Sequence, residues 1–141
     1  AEDMGGSWEY LELAFDPRQT SYSWCAGHAS PVRILPQDLI SSGNFLVGIM
    51  NGREKTDYSG EKPRYGKFRP GLFLFNPKTG EIPWVSPKPL FEDPDATTIT
   101  FASEFLNVNQ NYGIIYAHVN DSFVRAYKIN FKELKKLLPK P

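Results

Sequence analysis

The chain has a single cysteine, Cys25, among its 141 residues. One thiol cannot form a disulfide within the chain, so disulfides are excluded as the scaffold of the fold. The two histidines, His28 and His118, are far apart in sequence, which disfavours a structural zinc site built with Cys25. The sequence therefore predicts no metal site, and nothing in its pattern calls for a cofactor.

An excess of basic residues and a long apolar run are missing as well. Lys and Arg number 16, as do Asp and Glu, so the formal net charge is zero. Nucleic-acid-binding domains usually carry a basic surplus, so we expect no nucleic-acid partner. No apolar run approaches the roughly 18 residues of a membrane span. The N-terminal residues also lack the charged start and apolar core that are typical of a signal peptide.

Aromatic residues and chain-breaking residues are both abundant. The chain has ten Phe, seven Tyr and three Trp, and twelve Pro and eleven Gly divide it into short runs. Short aromatic and β-branched runs between such breakers indicate β-strands. The predicted strands are residues 8–15, 29–35, 44–51, 72–75, 82–91, 98–108, 112–119 and 123–130, and residues 131–138 predict a short C-terminal helix.

The two halves of the chain repeat these elements in the same order. Ala29-Ser30 begins a strand in the first half, and Ala102-Ser103 begins one in the second, 73 residues later. Residues 73–78 match residues 127–132. The outer strand repeats too, because the pairs Trp8/Phe15 and Trp84/Phe91 have the same spacing and each pair is followed by acidic residues and a proline.

Such a repeat of four antiparallel strands predicts an all-β fold made of β-propeller blades. The blades are residues 18–94 and 95–141, the latter including the helix. Residues 1–17 form the outer strand of a neighbouring blade or, alternatively, close the last blade, whose own fourth strand the helix replaces. The alternative is a plain β-sandwich with accidental similarity between its halves. Two blades cannot close a ring, so we expect the chain to need further blades, in cis or from another chain.

Propeller topology places the long, chemically rich loops on one rim. These are residues 16–28, 52–69, 92–97 and 120–122, whereas residues 36–43, 76–80 and 109–111 form short turns on the other rim. Functional loops on a rigid scaffold are common binding sites, although residues 55–62 also fit a solvated, variable loop. The candidate substrate-binding residues are Trp24, His28, Arg53, Glu54, Tyr65, Arg69 and His118.

Glu104 is the best acidic candidate, because it lies on a strand that we expect to line the central channel. A carboxylate there is costly unless it is paired or has a function. The alternative role for Glu104 is an ion pair with Arg69, Arg33 or Arg125.

Several stretches resemble the last blades of the five-bladed propeller glycoside hydrolases. These are HASPVRIL, FLVGIMNGRE, RPGLFLFNPKTGEIPWVSPKPLF, TFASEFLNV and YGIIYAHVNDSFVRAYKINFKEL, at residues 28–35, 45–54, 69–91, 100–108 and 112–134. The resemblance implies part of a carbohydrate-active enzyme, a hydrolase or phosphorylase, with Glu104 as a catalytic carboxylate. Such enzymes need two carboxylates about 5–10 Å apart, so the chain alone is expected to lack a complete pair. The alternative is a non-catalytic sugar-binding or protein-docking propeller module.

Overall fold

The computed structural model describes residues 9–140, and within them it has two antiparallel β-sheets and one short α-helix. The all-β fold class predicted from the sequence is confirmed. No helix in this part of the chain is long and apolar enough to cross a bilayer. The strands are β1 (His28–Ile34), β2 (Ser41–Ser42), β3 (Phe45–Arg53), β4 (Phe68–Phe75), β5 (Trp84–Val85), β6 (Thr100–Asn107), β7 (Tyr112–Val119) and β8 (Phe123–Asn130), and α1 is Phe131–Lys135.

The first sheet has the strand order β1-β3-β4-β5, with β2 paired to β3, and the second has the order β6-β7-β8. The connection between them, residues 86–99, contains the predicted boundary at residue 94. Helix α1 is shorter than the predicted 131–138. It begins after Asn130, whose side chain caps it by accepting a hydrogen bond from the Glu133 N–H.

Two predicted outer strands differ from the structure. Of residues 82–91 only Trp84–Val85 form a strand, because Pro83 and Pro87 lack the N–H that a ladder needs. The predicted strand at 8–15 is wrong over its described part, since residues 9–15 form no strand. The Ile82 N–H donates to Ala14 O at 3.0 Å. This single contact does not extend into a ladder, because β5 has only two residues. Trp8 lies outside the described residues.

The two sheets pack face to face around the larger of two apolar clusters. Alternate residues of β3 and β4 point toward the second sheet, as the two-residue period of a strand requires. Each fully buried Val, Leu or Ile contributes roughly 1.5–3 kcal/mol to folding. This core contains Val47, Ile49, Leu72, Leu74, Ala102, Phe105 and Ile115, and α1 adds Phe131 and Leu134.

On its other face, the first sheet is covered by the indole of Trp24, which is only 2 % exposed. The ring lies so close to the sheet that a Cβ at Gly52 or Gly71 would come within 2.4 Å and 2.2 Å of its atoms. The indole N–H donates to Ser86 O at 2.7 Å. Burial raises the pKa of the adjacent Cys25 thiol to about 11, so this thiol is neutral at pH 7 and unreactive.

The side chain of Asn51 joins the two sheets. Its Nδ2 donates to Ala102 O at 2.9 Å, and its Oδ1 accepts from the Ala102 N–H at 2.7 Å. Both residues are buried. The amide therefore replaces a ladder partner for Ala102 on β6, an edge strand whose backbone groups on this side have no neighbouring strand.

Each sheet begins with a strand that contains a β-bulge. The register shifts at Val32 in β1 and at Ser103 in β6. The bulged positions 32 and 103 lie 71 residues apart, two fewer than the sequence match of Ala29 with Ala102. The strand register thus offers a slightly different alignment of the two halves, and their equivalence stays a prediction.

A buried carboxylate, Asp93, ties the connection between the sheets to β8. It accepts hydrogen bonds from the Tyr127 hydroxyl and from Arg125 Nη1 at 2.8 Å. The bond from Tyr127 is the main cause that lowers the pKa of Asp93, and Arg125 acts in the same direction. Asp93 therefore stays ionised in the folded protein at pH values where the same carboxyl group is already protonated in the unfolded chain.

We expect Asn51→Leu to lower the free energy of unfolding by about 2–4 kcal/mol, because it leaves two buried backbone groups of Ala102 unpaired. Urea unfolding followed by circular dichroism measures this change. The control Asn107→Leu alters an exposed asparagine of β6 and should change stability by about 0.5 kcal/mol at most. Equal stability of Asn51→Leu and the wild type would contradict the role given to this amide.

We expect Asp93→Asn to lower stability at pH 7 by about 1–3 kcal/mol, because the buried hydrogen bonds of a charged acceptor are weakened. The pKa of Asp93 is lowered in the folded state. Its contribution to the free energy of unfolding is therefore complete above the unfolded-state pKa of about 3.9 and is lost as pH falls through the folded-state pKa. Stability measured from pH 2 to 7 should therefore fall less steeply at low pH in the variant. Asp95→Asn is the control, since Asp95 contacts Arg125 from an exposed position.

Candidate functional site

Four aromatic rings form a row at one end of the two sheets, and we call His28, Phe68, Phe101 and His118 the aromatic row. Successive ring centres lie 5.3, 5.1 and 6.4 Å apart, and each contact is edge to face. The row crosses from one sheet to the other where Phe68 and Ile99 form a parallel bridge. Strand ends from β1, β4, β6 and β7 thus supply one continuous surface.

Arg53, the last residue of β3, lies beside this row. It pairs in register with His28 on one side and with Phe68 on the other, so the three side chains share a face of the sheet. Its guanidinium carbon is 5.3 Å from the centre of the Phe68 ring. Its Nε is buried and has no hydrogen-bond partner among the described residues. Arg53 therefore lies between the exposed His28 ring and the half-buried Phe68 ring without a carboxylate partner among the described residues.

Arg69, although adjacent to Phe68, is held inside the protein. Its Nη2 donates to Glu54 at 2.6 Å, and its Nη1 donates to Glu92. These contacts join the loop after β3 to the connection between the sheets. Glu54 and Arg69 were predicted to bind substrate, but the structure gives them an ion pair that fixes the two segments behind the aromatic row.

A two-residue turn fixes the same end of the second sheet. Asn120 and Asp121 both have φ of 54°, as the tight hairpin between β7 and β8 requires. The Asn120 Oδ1 accepts from the backbone N–H groups of Thr97 and Thr98 at 2.8 and 3.1 Å. Asn120 thereby holds the chain that leads into β6 and sets the position of Phe101.

Glu104 lies on β6, and its side chain is 56 % exposed. Its Oε1 is 3.3 Å from Arg33 Nη1 and also accepts from the Phe105 N–H at 2.9 Å. Of the three arginines considered as ion-pair partners, the structure selects Arg33. This contact spans the first strands of the two sheets, and a catalytic role of Glu104 stays a prediction.

Two other predicted site residues lie away from the aromatic row. Trp24 is buried behind the first sheet, and its role in substrate binding stays a prediction. Tyr65 is exposed on the loop between β3 and β4. Sequence reasoning missed Phe68 and Phe101, whose only signal was an aromatic residue at the beginning of a strand on the loop-rich rim.

In the aromatic row His28 and His118 are exposed and the two phenylalanines are half-buried. None of the four rings lines the grooves beside β5 and β8. Within residues 9–140, no three His, Cys, Asp or Glu side chains gather as a metal site requires. Comparisons of the chain with protein-family models, curated proteins and solved structures found no match.

Proposed function

We propose that the two stacked sheets are consecutive blades of a β-propeller and that the chain binds carbohydrate at the aromatic row. The observation that carries this proposal is the row itself, with Arg53 beside it. The resemblance of the sequence to propeller glycoside hydrolases points to the same class of ligand. The fold supports it through two stacked antiparallel sheets whose connection runs from the outer strand of one to the first strand of the next.

The chemistry of the row suits a chain of sugars. The apolar C–H faces of a sugar ring pack on aromatic rings, and the hydroxyl groups need donors and acceptors at the edges. His28 and His118 are exposed and offer both a ring and nitrogen atoms. A row outside these grooves fits an extended oligosaccharide better than a small molecule, which is usually enclosed by a pocket.

Arg53 supplies the directional contacts in this proposal. A guanidinium has five N–H donors in one plane, and that of Arg53, whose carbon is 5.3 Å from the centre of the Phe68 ring, forms no hydrogen bond or ion pair among the described residues. Arg69 is the natural comparison, because Glu54 and Glu92 already occupy its guanidinium. The two arginines therefore differ in function although they lie on adjacent strands.

Catalysis is assigned to a larger propeller and not to this chain alone. Glycoside hydrolysis requires a proton donor and a second carboxylate at a defined separation. Glu104 is held by Arg33, and Glu54 and Glu92 are held by Arg69. Further blades, in cis or from another chain, would have to supply the partner for Glu104 in an enzyme.

We expect Arg53→Gln to weaken oligosaccharide binding about tenfold, because it removes the positive charge and most of the N–H donors beside the row. Titration calorimetry with a panel of oligosaccharides measures the affinity, and NMR shifts of the His28, Phe101 and His118 rings locate the contact. Arg64→Gln, on the exposed loop before β4, is the control and should bind within about twofold of wild type.

Two results would overturn the binding proposal. In the first, no member of the panel would shift the resonances of the row. In the second, the shifts would map to the turn at residues 76–80, on the opposite end of the sheets.

We expect the isolated chain to leave aryl glycosides intact and Glu104→Gln to bind oligosaccharides as the wild type does. The reason is that Glu104 forms an ion pair outside the aromatic row. A chromogenic assay on homogeneous protein tests the first expectation. Hydrolysis that disappears in Glu104→Gln would show a catalytic carboxylate in the chain itself.

A further inference from the structure

We propose that copies of this chain associate head to tail. In this arrangement residues 9–15 of one copy add to the free edge of β8 in the next copy, as the fourth strand of its second sheet. The proposal rests on the open edge, on the sequence repeat and on exposed apolar side chains, and it is independent of the proposed ligand.

The outer edge of β8 is open. In the described residues, β8 pairs with β7 on one side and with no strand on the other. A groove of about 790 Å³ runs along this edge, between β8, α1 and residues 90–94. Its apolar lining includes Leu90, Phe91, Ile129, Leu134 and Leu137. A free edge beside an apolar groove is a template for an added strand.

The first sheet shows which kind of strand pairs with such an edge. There the outer edge of β4 is paired with β5, through Phe73 with Val85 and Leu74 with Trp84. By the repeat, residues 73–75 of β4 correspond to residues 127–129 of β8. The second sheet thus lacks, among the described residues, the strand that covers the matching edge of the first.

A segment of the required type is present at the other end of the chain. Residues 8–15 repeat the spacing and the acidic-proline ending of residues 84–91, which contain β5. The side chains of Leu11 and Leu13 are 69 % and 75 % exposed. As alternate residues of a strand, both would point into the groove of a neighbouring copy. Glu12, on the opposite face of the segment, would also bring negative charge to the face of β8 that carries Lys128.

The connection that follows the added segment leads to a second contact between the two copies. Within the chain, β5 leads through residues 86–99 to a sheet that stacks on the first. In the donor copy, residues 16–27 lead in the same way from the added segment to β1. The donor's first sheet would then cover the outer face of the acceptor's second sheet, where Leu106, Tyr116 and Val124 are exposed.

This contact is heterologous, since it joins two different surfaces. Such contacts form rings when the rotation closes and filaments when it does not. A symmetric dimer, by contrast, would use the same surface in both copies. That difference allows a decisive mixing experiment.

Light scattering after size-exclusion chromatography should show concentration-dependent oligomers of the wild type. The double variant Leu11→Glu with Leu13→Glu disables the segment, and Val124→Glu with Ala126→Glu disables the receiving sheet. Each should raise the apparent Kd of assembly at least about 30-fold. Tyr58→Glu, which alters an equally exposed aromatic on the loop after β3, is the control and should assemble like the wild type.

Mixing the two double variants should restore a 1:1 heterodimer and nothing larger, because each retains the surface that the other lacks. Slower hydrogen exchange of the β8 amides on assembly would support strand addition independently. Three results would overturn the proposal. They are a wild type that stays monomeric at the highest concentration, assembly that survives Leu11→Glu with Leu13→Glu, and a mixture without heterodimer although both variants keep wild-type circular dichroism.

Discussion

The contact between the Asn51 side chain and the backbone of Ala102 is the constraint on which the two-sheet arrangement depends. An edge strand that is buried against another sheet must find partners for its N–H and C=O groups, because water cannot reach them. Asn51 supplies a donor and an acceptor at once, and it does so where both groups are buried. Apolar packing holds the sheets together, while this amide fixes where β6 lies on the first sheet.

The position of the candidate site follows from that contact. Phe101 directly precedes Ala102, and Arg53 and Phe68 lie at the end of β3 and the beginning of its partner β4. Fixing Ala102 against Asn51 therefore brings the Phe101 ring to 5.1 Å from Phe68. Charged side chains complete the frame, since Arg69 and Arg125 each join two segments through carboxylates. Arg53 differs from both, because among the described residues its guanidinium pairs with no carboxylate.

Prolines limit the outer edge of the first sheet in this structure. They shorten β5 to two residues, so the segment at residues 9–15 has little ladder to join, and its apolar side chains stay exposed. The second sheet ends at β8 with an open edge and an adjacent groove. A head-to-tail association would bury both features by repeating a contact that the chain already makes within itself.

The sequence by itself determined the all-β class, β7 and β8 to the residue, and the absence of a disulfide scaffold. These follow from local rules, because alternation, turn residues and prolines act over a few neighbouring positions. Only the tertiary structure decided that Trp24 is buried, that Glu104 pairs with Arg33, that Arg69 is occupied and that Phe68 and Phe101 join the row. Burial and pairing depend on which strand lies opposite, and residues separated by tens of positions meet only after the sheets stack.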